Sequence, residues 1–116
     1  MKSNLHWVYY RRVVMKIELT QTAANRVSTM LQQRGSGLGL RLGTRKSGCS
    51  GFEYIVDYAD EIRDEDEVFE SHDVKVIVER GSMPHLNGTT IDYVRLNALA
   101  ALIFMQRDNL IYFTVF

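Results

Sequence analysis

Two alternating runs separated by a loop of small residues constrain this chain more than any other feature. In GLGLRLGTR (37–45), Leu38, Leu40 and Leu42 fall on one side, and Gly39, Arg41 and Gly43 on the other. In FEYIVDY (52–58), Phe52, Tyr54, Val56 and Tyr58 share a side. Alternation with a period of two marks a half-buried strand. Between the runs lies RKSGCSG (45–51), whose serines and glycines carry no bulk and suit a pliant connection. The pattern predicts a hairpin that carries Cys49 on its loop.

The flanking segments fit around this pair. KIELT (16–20) predicts a short strand, and Thr20 is a good N-cap, because its hydroxyl can accept an orphan amide of the first helical turn. A helix is expected from Gln21 to Arg34, with Ala23, Ala24, Val27, Met30 and Leu31 on one face. Gly35, free to take a positive φ, is its stop. VFE (68–70), VKVIVE (74–79) and TTIDYV (89–94) predict further strands, and GSMPHLNGT (81–89) a turn or short helical turn. One helix and five or so short strands in 116 residues predict a single α+β domain of small sheets with a flanking N-terminal helix. The acidic run from Asp57 to Glu70, eight carboxylates and one arginine, predicts a solvated connection.

The two ends follow no such pattern. Residues 1–14 hold three cations, two tyrosines and a tryptophan without a clear period. They are expected either as an extension ahead of a natural beginning at Met15 or as an edge strand through Trp7 to Val14. In residues 95–116, Leu96, Leu99, Ala100, Ile103 and Phe104 can form a helical apolar face, whereas LIYFTVF (110–116) predicts a strand. Apolar residues left over there would favour association.

Composition narrows the function. Nearly half the residues are apolar, about a quarter are charged and the formal net charge is zero, so no basic field argues for a nucleic-acid partner. The longest apolar stretch, LNALAALIFM (96–105), is half the length of a membrane span and is followed by QRDN. No cleavable signal peptide is readable, and a single cysteine cannot form an internal disulfide. A cytoplasmic protein is expected, with no membrane partner.

That cysteine is the residue with chemistry. Neighbouring glycines leave its sulfur accessible, and Arg45 and Lys46 favour the thiolate, the form that ligates metals. An isolated cysteine is more often a small apolar filler, but a core position seldom needs such a loop. Nucleophilic catalysis lacks local support. Ile55 stands where a phosphatase-type loop needs arginine, the segment is not G-x-S-x-G, and His6, His72 and His85 are distant in sequence.

The run from Leu19 to Glu61, with its G-x-R-x-S-G-C-S-G segment (43–51), resembles the A-type iron–sulfur carrier family, also called HesB-like, and within it the IscA branch. The likeness continues through DEVFESHDVKVIVE and LNGTTIDYV, and covers roughly residues 15–94. The resemblance implies a compact pair of small mixed sheets with helices at the side. It implies Cys49 as the ligand for iron or a [2Fe-2S] cluster, delivery to apo iron–sulfur proteins such as ferredoxin, no enzymatic activity, and assembly as a homodimer or homotetramer. It also implies an iron-side position for Tyr54, whose residue type and place in the alternation favour the plainer reading of a half-buried strand aromatic.

Family members end in a C-G-C-G segment, and residues 95–116 hold none, as though a reading frame had shifted or the gene were truncated. A [2Fe-2S] cluster wants four ligands, typically thiolates, and two copies of this chain offer two. External thiols such as glutathione, a partner protein or the Tyr54 phenolate is expected to meet the deficit that pairing of chains leaves. The alternative is a metal-free interaction module or a non-functional truncated remnant.

Overall fold

The computed structural model describes residues 7–10, 13–48, 51–96, 99–106 and 109–114. Nine strands among them form two sheets. The first is five-stranded, in the order β1 (Trp7–Tyr10), β2 (Val13–Leu19), β7 (Thr89–Leu96), β8 (Leu99–Gln106), β9 (Asn109–Thr114). The second runs β4 (Gly51–Ala59), β3 (Gly39–Ser47), β6 (Val74–Glu79), β5 (Asp66–Ser71). The pairs β2–β7 and β3–β6 are parallel and the rest antiparallel, so both sheets are mixed, as expected of the α+β class.

The helix α1 covers Gln21–Arg34, its expected span. The Thr20 hydroxyl accepts the Ala23 N–H at 3.1 Å, and Gly35 closes the helix at φ 81° while its own N–H returns to Leu31 and Gln32 carbonyls. Ala23, Ala24 and Val27 enter the core, with Leu31 packed at its border. A 3₁₀ turn (Arg80–Ser82) leads into the one-turn helix α2 (Met83–Leu86), where Met83 and Leu86 are fully buried.

The core draws on both sheets and both helices. Ile17, Leu19, Ile91, Leu102 and Phe104 come from the first sheet, and Leu40, Leu42, Phe69, Val76 and Val78 from the second. The buried Ser71 hydroxyl of β5 accepts the Leu19 N–H at 3.1 Å and donates to the Leu19 carbonyl at 3.2 Å. It thereby ties the second sheet to β2 and satisfies backbone groups that burial would otherwise leave costly.

Three expectations are corrected. The stretch expected to carry a helical face is strand: Leu96 is the last residue of β7, and Leu99, Ala100, Ile103 and Phe104 belong to β8. β8 pairs with β7, Ile91 opposite Phe104 and Tyr93 opposite Leu102, so Leu102 and Phe104 alternate inward and a period of two replaces 3.6. Leu38 does not share the burial of Leu40 and Leu42. It precedes β3, follows Gly37 at φ 120° and is 45% exposed. The acidic connection is not solvated throughout: Asp66 is buried against Arg41, whereas Glu61, Asp64 and Glu65 are exposed.

Candidate metal-binding hairpin

The alternating runs do form a hairpin. β3 and β4 pair in unbroken register from Gly39–Ala59 to Ser47–Gly51, which leaves residues 48–50 as the connection. Gly48 opens it at φ 69°, a left-handed value that glycine adopts without steric cost. Cys49, the expected ligand, lies outside the described residues, as does Ser50. What the structure describes is the arm that presents them.

β3 touches β6 only from Gly39 to Leu42, so Gly43–Ser47 and their β4 partners extend past the end of that pairing. Directly opposed residues share a face of an antiparallel pair. The core-facing stripe Leu40–Tyr58, Leu42–Val56 therefore continues outward as Thr44–Tyr54 and Lys46–Phe52. Tyr54 and Val56 still pack against the core, but Phe52 is 49% exposed. At Gly43, a Cβ would lie 2.9 Å from the Glu79 Oε1 atom.

Elements distant in sequence meet the arm on this side. The Thr44 N–H donates to the Ser82 Oγ at 2.9 Å, and the Thr44 hydroxyl does so at 2.9 Å. The Phe52 ring lies on the His85 imidazole, centroids 4.2 Å apart and planes inclined by 41°. Neither Ser82 nor His85 stood out in the sequence as part of this site, since each is more than thirty residues from its contact and sits in a segment that reads only as a turn.

The arm's electrostatics are simpler than the sequence implied. Arg45 donates from Nε and Nη2 to one Glu53 oxygen, at 3.2 and 2.8 Å, directly across the hairpin. Much of its charge is thus answered locally, and Lys46, exposed on the other face, is the loop-side cation without a carboxylate partner among the described residues. Tyr54 lies three residues along β4 from Gly51, about 10 Å at the usual strand rise, and is half-buried on the core side. His72 occupies the β5–β6 turn. Among the described residues no group of three or more His, Cys, Asp or Glu side chains converges as a metal site. No helix among them is long and apolar enough to cross a membrane.

Comparison with known proteins gives a consistent answer. Residues 15–107 match the family model described as iron-sulphur cluster biosynthesis. The iron-binding protein IscA of Proteus mirabilis (strain HI4320) is 56% identical over 81 residues, 70% of this chain and 76% of that protein. That of Photorhabdus laumondii is 54% identical over the same shares. The crystal structure of Escherichia coli SufA, involved in biosynthesis of iron–sulfur clusters, superposes with a TM-score of 0.74 at 30% identity, covering 80% of this chain and 82% of SufA. A crystal structure of IscA with the [2Fe-2S] cluster has a TM-score of 0.68 at 22% identity, covering 79% and 86%, and supports the shared fold. By its matched residues and its fold, the chain belongs to the iron–sulphur cluster biosynthesis family.

Proposed function

We propose that this protein is a non-enzymatic carrier that holds iron or a [2Fe-2S] cluster through the Cys49 thiolate and passes it to apo iron–sulfur proteins in the cytoplasm. The observation that carries this reading is the place of the G-x-R-x-S-G-C-S-G segment. In a chain of this family, it spans the outer part of an arm that runs past the last β6 partner of its sheet. IscA relatives named for iron binding, and an IscA structure named for its [2Fe-2S] cluster, support the choice of cargo.

The chemistry follows from one donor per chain. Iron binding replaces the thiol proton, so loading releases one proton per ligating cysteine. Two chains contribute two sulfurs, and exogenous thiols or a partner complete the coordination that a cluster needs. An incompletely protein-ligated cargo suits transfer. Each recipient thiolate that displaces Cys49 takes over an iron–sulfur bond, and Cys49 regains a proton, with no change in oxidation state. Homo-oligomerisation is then part of ligation.

Anaerobic reconstitution with ferrous iron, sulfide and glutathione tests the reading. The expected result is a visible thiolate-to-iron charge-transfer spectrum that Cys49→Ser abolishes. Iron retention that is absent at every thiol concentration would instead favour the metal-free interaction module.

A further inference from the structure

A two-stranded hairpin on its own is marginally stable in water. Among the described residues the β3–β4 arm has no third strand on the β6 side beyond Leu42, so whatever holds it there decides how its loop is presented. Besides the packing of Tyr54 against the core and the Glu79 side chain beneath Gly43, the described hydrogen bonds and ring contact on that side come from the segment Arg80–Leu86. Ser82 is 3% exposed, and its hydroxyl takes two hydrogen bonds from Thr44. The His85 ring covers Phe52 at the outer end of the apolar stripe.

This segment is itself fixed. Met83 and Leu86 are fully buried, the Arg80 N–H donates to the Glu65 carbonyl at 2.9 Å, and the His85 carbonyl accepts from Gln106 Nε2 at 2.7 Å. Its two contacts with the arm therefore act from a rigid base. One grips the arm at its root, at Thr44. The other grips it at the next core-facing pair outward, Lys46–Phe52.

We infer that Ser82 and His85 are positioning residues: they latch the β3–β4 arm to the body of the protein and thereby set how tightly its cysteine loop holds iron. The inference rests on the function proposed above. Ligand sites lose affinity when the supporting shell leaves the donors loose. Neither residue touches the metal in this account. Ser82 acts through Thr44, and His85 acts through Phe52.

The test uses the full chain with four variants: Ser82→Ala, His85→Ala, the double variant, and His85→Phe, which keeps an aromatic ring on Phe52. Two quantities are read. One is amide hydrogen exchange of residues 43–47 and 51–55 in the metal-free protein. The other is affinity for ferrous iron in anaerobic titration. Unchanged protection in α1 certifies the fold. In the double variant, exchange in the arm is expected to rise about tenfold or more while α1 and β6 keep their protection. Iron affinity is expected to weaken by about tenfold. His85→Phe is expected to behave as the parent in both, which a role for the imidazole nitrogen would not allow. Unchanged arm exchange in the double variant overturns the latch. Faster exchange with unchanged affinity overturns its link to iron. If the parent and Cys49→Ser hold iron equally, the proposed function fails, and the exchange measurement alone then judges the latch.

Discussion

Arg41 and Asp66 meet in a two-point ion pair, with Nη1 to Oδ1 and Nη2 to Oδ2 each at 3.0 Å. The Asp66 side chain has no exposed surface. Its Oδ2 also accepts the Arg63 N–H at 2.8 Å, while Arg41 Nη2 donates to the Glu61 carbonyl at 2.8 Å. One arginine on β3 thus pins both ends of the acidic connection that follows β4, and it does so on the strand that leads to the cysteine loop. Removing one partner of a buried pair leaves the other charge uncompensated. Asp66→Ala is expected to lower stability by about 3 kcal/mol, read as a shift in urea midpoint at constant slope.

The same pair sets an acid limit. Burial alone pushes the Asp66 carboxyl up, but the Arg41 hydrogen bonds, with the Arg63 N–H, outweigh it and hold the carboxyl below its ordinary range. Below an unfolded pKa of about 3.9 the unfolded chain takes up this proton while the folded one still excludes it, so stability falls as pH drops. The contribution is present in full above about pH 5 and is lost as pH falls through the folded value. Denaturation curves taken from about pH 6 downward should show a steeper acid loss for the parent than for Asp66→Asn.

Phe104 tests the assignment of residues 99–106 to strand. It lies opposite Ile91 and is almost completely buried. Phe104→Ala is expected to cost about 3–5 kcal/mol in chemical denaturation. Backbone chemical shifts for Leu99–Gln106 should be those of strand, and helical shifts would contradict the placement of β8.

Gly39 is held by close approach of backbone. A Cβ there would fall inside the contact radius of the Lys75 carbonyl oxygen, its register partner across the parallel pair. Gly39→Ala must shift one strand against the other, and a loss of about 1–3 kcal/mol in thermal or urea unfolding is expected.

The β5–β6 turn carries two non-glycine residues at positive φ, His72 at 51° and Asp73 at 66°. Left-handed backbone costs an ordinary residue about 1–2 kcal/mol. The greater freedom of glycine in the unfolded chain offsets about 0.4–1 kcal/mol of that relief, so His72→Gly should stabilise the fold by roughly half the amount and His72→Val should destabilise it, both readable as opposite shifts in melting temperature.

Local signals made α1 legible to the residue, because Thr20, the apolar spacing and Gly35 act within a few residues of the helix they bound. The hairpin was legible for the same reason: alternation on both sides of a glycine-rich loop leaves little choice of partner. β8 was not, because a run of Leu, Ala and Ile satisfies both periods, and its pairing with β7 decided between them. The latch was also out of reach. Thr44 and Ser82 are 38 residues apart, and nothing near either announces the other. Asp66 was hidden in its own company, since one buried carboxylate among eight looks like the rest until Arg41 arrives from another strand. Cys49, legible in sequence from its loop, lies outside the described residues, so its role rests on its segment, the family and the arm that carries it.

The central claim is that the lone thiol is an iron donor. Its most direct test is X-ray absorption at the iron edge of the full chain loaded anaerobically with ferrous iron, without sulfide or small thiols. A sulfur neighbour of iron in the parent that disappears in Cys49→Ser is the predicted result. An iron shell of oxygen and nitrogen alone in the parent, unchanged by the substitution, would contradict it.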